Sequence, residues 1–104
     1  MLPASKRLTA LGVRRVLAQG KARRGKYLSA KILASEDAFR CGVVVSKKVA
    51  GRAVMRNSLR RAVYQALRSS SLPPTGHAIL FVQAVPQGDI QTIFKSEIKT
   101  LLHV

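Results

Sequence analysis

Two periods alternate along this chain. Between residues 26 and 34 apolar positions recur at every second residue. Leu28, Ala30 and Ile32 fall on one face and Tyr27, Ser29 and Lys31 on the other, the pattern of a half-buried strand. Glu36-Asp37 marks a turn, and the β-branched run Val43-Val44-Val45 predicts a second strand over residues 39–47. Residues 53–68 switch to a helical period. At about 100° per residue, Met55, Leu59, Ala62, Val63 and Ala66 share one face, with Arg56, Asn57, Arg60, Arg61, Tyr64 and Arg68 opposite. After a Ser/Pro-rich loop, residues 77–83 read as a buried strand. Pro86-Gln87-Gly88-Asp89 is a turn, and Ile90 to Leu102 is an amphipathic helix. Near the N-terminus, Thr9 is placed to cap a short helix over residues 10–18 that Gly20 ends. There Leu11, Val16 and Leu17 are expected to be partly buried and Arg14 and Arg15 exposed. Residues 1–7 read as an irregular arm and 21–26 as a basic loop. The order is α-β-(β)-α-β-α, one sheet layer with helices packed on it, in a single domain over residues 1–104.

Charge changes the picture. The chain has 19 Lys and Arg against 4 Asp and Glu, a formal charge of +15 on 104 residues. Residues 1–68 hold 17 of those cations and only Glu36 and Asp37, whereas Lys95 and Lys99 balance Asp89 and Glu97 in the last third. Self-repulsion on this scale calls for a polyanion, and the arginine-rich composition favours nucleic acid over a membrane surface. A core is affordable at 47% hydrophobic residues, so the chain is not a disordered basic tail. No apolar run approaches the roughly 18 residues of a membrane span. The lone Cys41 and the absence of a signal pattern lead us to expect a cytoplasmic protein.

The candidate chemistry follows the charge. Arg56, Arg60 and Arg68, with Arg61 beside them, form a cationic helix face that suits a phosphate backbone, and Asn57 and Tyr64 add hydrogen-bonding or stacking groups. Ser46-Lys47-Lys48 and Arg52 lie just before this helix, where its dipole adds to anion attraction. A solvated basic face is the alternative, but few acids lie nearby to pair with these arginines. His77 and His103 are far apart in sequence and make a poor acid–base pair. No Cys/His spacing suggests zinc, and the adjacent carboxylates Glu36 and Asp37 point apart in a turn.

Val45-Ser46-Lys47-Lys48, followed after seven residues by Arg56-Asn57-Ser58-Leu59-Arg60-Arg61, resembles the signature of the bacterial ribonuclease P protein family. The resemblance extends over essentially the whole chain, from Leu2-Pro3 to the last helix. It implies an α+β fold, a small α-β-β-β-α-β-α sandwich with a left-handed βαβ crossover of the ribosomal protein S5 domain 2-like type. It also implies an RNA-binding subunit that joins a catalytic RNA, contacts the 5′ leader of precursor tRNA and promotes endonucleolytic removal of that leader. Catalysis would belong to the RNA, with Mg²⁺ held mainly by RNA and substrate. No catalytic residue, protein-held metal, small-molecule substrate or membrane is expected. By resemblance, Arg56, Asn57, Arg60 and Arg61 contact RNA, and Lys47 and Lys48 match the basic pair. The leader cleft between the first helix and the sheet points to Val13, Leu17 and Lys31, with Arg14 and Arg15 nearby. The family often has aromatics where Val13, Leu17 and Lys31 stand, and Lys31 offers a phosphate contact instead. Two other classes share the charge and size: a structural RNA-binding protein of ribosomal-protein type and a stand-alone basic nuclease. The Arg-Asn motif after Ser-Lys-Lys favours the ribonucleoprotein subunit.

Overall fold

A computed structural model describes residues 8–102. The N-terminal arm over residues 1–7, including Leu2-Pro3, and His103 lie outside the described residues. The elements are α1 (Ala10–Gln19), β1 (Lys21–Arg24), β2 (Leu28–Ala38), β3 (Arg40–Val45), α2 (Ala53–Arg68), β4 (Thr75–Val82) and α3 (Ile90–Leu102). This is an α+β sandwich in the order α-β-β-β-α-β-α.

The four strands form one mixed sheet in the order β1-β2-β4-β3. Strand β2 is antiparallel to both β1 and β4, whereas β3 runs parallel to β4, so α2 is the crossover of a βαβ unit. Only Phe39 separates β2 from β3. The chain crosses beneath the start of β4 there, with the Phe39 N–H donating to the Pro74 carbonyl at 3.1 Å.

Alternation along the strands assigns the two sheet faces. Leu28, Ala30, Cys41, Val43, Val45, Ala78, Leu80 and Val82 point to α2 and α3. They form one core with Leu59, Val63, Leu67, Phe94, Ile98 and Leu101. The opposite face carries α1, held by fully buried Val16 and by Leu8, whose N–H donates to the Cys41 carbonyl. Thr9 caps α1, its hydroxyl oxygen accepting the Gly12 N–H at 3.1 Å. Asp89 caps α3. Its carboxylate accepts the Thr92 hydroxyl at 2.7 Å, a bond that holds its pKa below the ordinary 3.8.

Four local expectations are corrected. Residues 21–24 form an edge strand rather than a loop, because their backbone pairs with Ser29–Ile32 while Lys21, Ala22 and Arg24 stay exposed. Glu36 and Asp37 lie within β2 rather than in a turn. Leu11 is 66% exposed and Leu17 44%, because only Val16 and Gly12 of α1 are buried against the sheet. In α2 the buried stripe is rotated toward Tyr64 and Leu67. Tyr64 therefore leaves the polar face for the core, and Met55 is left 48% exposed.

Candidate nucleic-acid interface

The strand-to-helix segment after β3 gathers most of the expected phosphate contacts. Residues 46–50 make a tight turn in which the Val49 and Ala50 N–H groups both donate to the Ser46 carbonyl at 3.2 Å. This turn carries Lys47 and Lys48 into solvent. Arg52 is the N-cap residue of α2, exposed and with no side-chain capping bond.

The Arg-Asn motif divides its labour. Arg56 is half-buried, and one guanidinium nitrogen donates to the carbonyls of Ala50 and Gly51 at 3.0 and 2.9 Å. It braces the basic turn against the helix. Arg60 donates to the Asn57 amide oxygen at 2.7 Å, one turn back, which aligns that guanidinium along the helix surface. Arg61 is exposed beside a shallow groove with Val54, Asn57, Ser58 and Gln65. Arg68 is exposed in the last turn, where a cation also complements the helix dipole. Seven residues is nearly two turns, so Arg61 and Arg68 fall on one stripe with Asn57.

None of these cations is neutralised from within. Among the described residues the only ion pair within 4.0 Å joins His77 to Asp37. Asp89 is engaged with Thr92, and Glu97 accepts the N–H groups of Tyr27 and Leu28. The bracing and free arginines are separable. Arg56→Ala is expected to lower stability by about 1–2 kcal/mol through loss of charged hydrogen bonds to the turn. Arg61→Ala should stay within about 0.5 kcal/mol of the parent. Urea denaturation of the two variants reads the difference.

The leader cleft is expected on the α1 face, between the first helix and the sheet. Val13 is half-buried, while Arg14, Arg15 and Leu17 are exposed. Lys31 donates its ammonium to the Leu17 carbonyl at 2.9 Å, so it closes the C-terminal end of α1. An open groove on this face is lined by Ser29, Val44, Ser46, Lys48, Phe81 and Gln83, and Gln83 donates to the Ser29 hydroxyl at 3.0 Å. Val13 and Leu17 do not line it, and Arg15 lines a different cavity near the start of β4. Phe81 and Val44 escaped the sequence reading. The signal was there in the alternation of β4, which puts residue 81 on the same face as His77 and Ile79.

A family model described as Ribonuclease P matches residues 3–103. The Ribonuclease P protein component of Thermus thermophilus is 35% identical over 85 residues, which cover 82% of this chain and 51% of that protein. That of Thermus brockianus is 46% identical over 71 residues, 68% of this chain and 41% of the relative. The chain thus spans about half the length of the Thermus relatives it matches. Among solved structures, the RNase P protein from Thermotoga maritima superposes with a TM-score of 0.78 over 94% of this chain and 96% of that one, at 20% identity. The Staphylococcus aureus RNase P protein gives 0.70 over 95% and 93%, also at 20% identity. These two show a shared fold, and the family match rests on nearly the full length of the sequence: the chain belongs to the ribonuclease P protein family.

Proposed function

We propose that this chain is the RNA-binding protein subunit of ribonuclease P. In this reading it joins a catalytic RNA in the cytoplasm and binds the 5′ leader of precursor tRNA. It thereby promotes endonucleolytic removal of the leader. The observation that carries the proposal is a family match over residues 3–103 in a chain whose α2 arginines have no acidic partner among the described residues. Guanidinium groups left unpaired by their own protein are suited to the phosphates of an RNA partner, bidentately where geometry allows.

The chain's own donor set does not fit a protein-held Mg²⁺. Among the described residues no three of His, Cys, Asp and Glu come together. Asp89 and Glu97 already accept N–H or O–H groups. In this reading Mg²⁺ is held mainly by RNA and substrate, and the protein's contribution is electrostatic: added cations lower the repulsion between two polyanions.

The test is a cleavage assay with the cognate catalytic RNA and precursor tRNA at low Mg²⁺. Added protein should raise the rate of 5′-leader release. Unchanged cleavage across protein concentrations that saturate RNA binding would overturn the reading.

A further inference from the structure

A second cavity lies on the α1 face, at the N-terminal end of that helix. It encloses about 330 Å³ and is walled by Thr9 at the N-cap and Arg15 midway along α1, Asp37 from β2, Arg40 from β3 and His77 from β4. We propose that it is a phosphate-binding pocket whose affinity is set by protonation of His77.

Sheet register builds the pocket. Arg40 and His77 are direct partners across the parallel β3–β4 pair, and paired residues project to the same face. His77 is buried to 8% exposure, with Nε2 lying 4.0 Å from the Asp37 carboxylate. Arg15 closes the opposite wall from α1. The Thr9 hydroxyl oxygen already accepts the Gly12 N–H, and the first i to i−4 helical bond runs from Val13 to Thr9. The Ala10 and Leu11 N–H groups thus have no acceptor within the helix.

The charges decide the ligand class. Among the described residues, the ionisable groups facing His77 are Arg15 from α1, Asp37 from β2 and Arg40 from β3. With a neutral imidazole the pocket carries two cations and one carboxylate, and protonation of His77 adds a third cation. An oxyanion gains from that step and a cation loses. Two guanidinium forks suit the several oxygens of a phosphate better than a single carboxylate. The pocket is separate from the Phe81 groove. Four residues along β4, about 13 Å, part His77 from Phe81 on the same face. A backbone phosphate of bound RNA and a free phosphate anion present the same chemistry here.

Sulfate is the probe, because it stays dianionic where phosphate itself titrates. NMR titration of the whole protein with sulfate at pH 6 and pH 8 should move the His77 ring and the Arg15 and Arg40 side-chain resonances. Binding should be at least about fivefold tighter at pH 6. His77→Asn should abolish the pH dependence, and Arg15→Gln, on an exposed helix position, should weaken binding at both pH values. His103→Gln should change neither. Sulfate shifts confined to α2 and the 46–52 turn would overturn the pocket, and a pH dependence preserved in His77→Asn would overturn the switch. A short single-stranded RNA that displaces sulfate from His77 identifies the ligand as a backbone phosphate. Displacement by inorganic phosphate alone identifies a free anion. These readouts do not depend on cleavage activity, so they stand apart from the test of the proposed function.

Discussion

On the proposed function, replacing Arg52, Arg61 and Arg68 together by alanine is expected to weaken binding to the catalytic RNA about 50–200-fold at 0.15 M salt. The three were chosen because each is exposed and none makes a side-chain bond that shapes the fold. Each phosphate neutralised contributes roughly 0.7–0.9 to the slope of log K against log salt. Three lost contacts therefore flatten the slope by about 2–3 units. Extrapolated from 0.15 M to 1 M salt, where the counterion term vanishes, each is worth about four- to sixfold. The loss should shrink steadily as salt rises, and circular dichroism should show an unchanged fold. Filter binding across a salt series measures both affinity and slope. A weakened but equally salt-dependent complex would mean that these arginines act by shaping the helix and not by meeting phosphates. Arg56 is left out of the set because it holds the Ala50–Gly51 turn. Its loss would mix a structural effect with an electrostatic one.

The elements that sequence made legible are those whose burial is one-sided and local. Helices α2 and α3 have the bounds that their periodicity predicts, because their apolar stripes pack on a single sheet face. Strand β1 escaped because a short, mostly exposed edge strand needs no apolar alternation. Lys21-Ala22-Arg23-Arg24 is held by its backbone pairing to β2. The buried stripe of α2 lies nearer Tyr64 and Leu67 than its apolar spacing predicts, because an amphipathic residue such as Tyr can sit on either flank of the stripe. The aromatic body of Tyr64 is buried while the arginines around it stay in or near solvent. Among the candidate site residues, the turn and helix arginines are neighbours along the chain, so their clustering could be read directly. The α1 face could not be read in this way. Lys31 meets Leu17, and Arg15 shares a cavity with Arg40 and His77, only through a strand order of β1-β2-β4-β3 that periodicity does not encode.

The least legible contact is also the one whose loss should cost most stability. Glu97, one of two acids in the neutral last third, accepts the Tyr27 N–H with both carboxylate oxygens at 3.0 and 2.9 Å and the Leu28 N–H at 3.2 Å. One turn further along α3, the Leu101 carbonyl accepts a guanidinium N–H of Arg23 at 3.1 Å. The Tyr27 carbonyl in turn accepts the Gln83 N–H at 2.8 Å. The turn between the basic strand β1 and β2 is thus clamped between α3 and the end of β4. Glu97→Ala leaves two backbone donors without their acceptor, and hydrogen bonds to a charged group are worth about 1.5–3 kcal/mol. We expect a loss of about 3 kcal/mol, discounted from the sum because the site is only half-buried. Glu97→Gln, which keeps one carbonyl acceptor, should lose less than half of that. Gly25 supplies an independent arm of the same test. A Cβ there would run into the Glu97 carboxylate and approach the Leu28 carbonyl oxygen to 2.8 Å. Gly25→Ala should therefore destabilise the parent strongly, but cost much less in the Glu97→Ala background, where one of its two obstacles is gone. A double-mutant cycle by urea denaturation measures that coupling. Strictly additive losses would show that Glu97 and Gly25 act separately and that the turn is held by β-pairing alone.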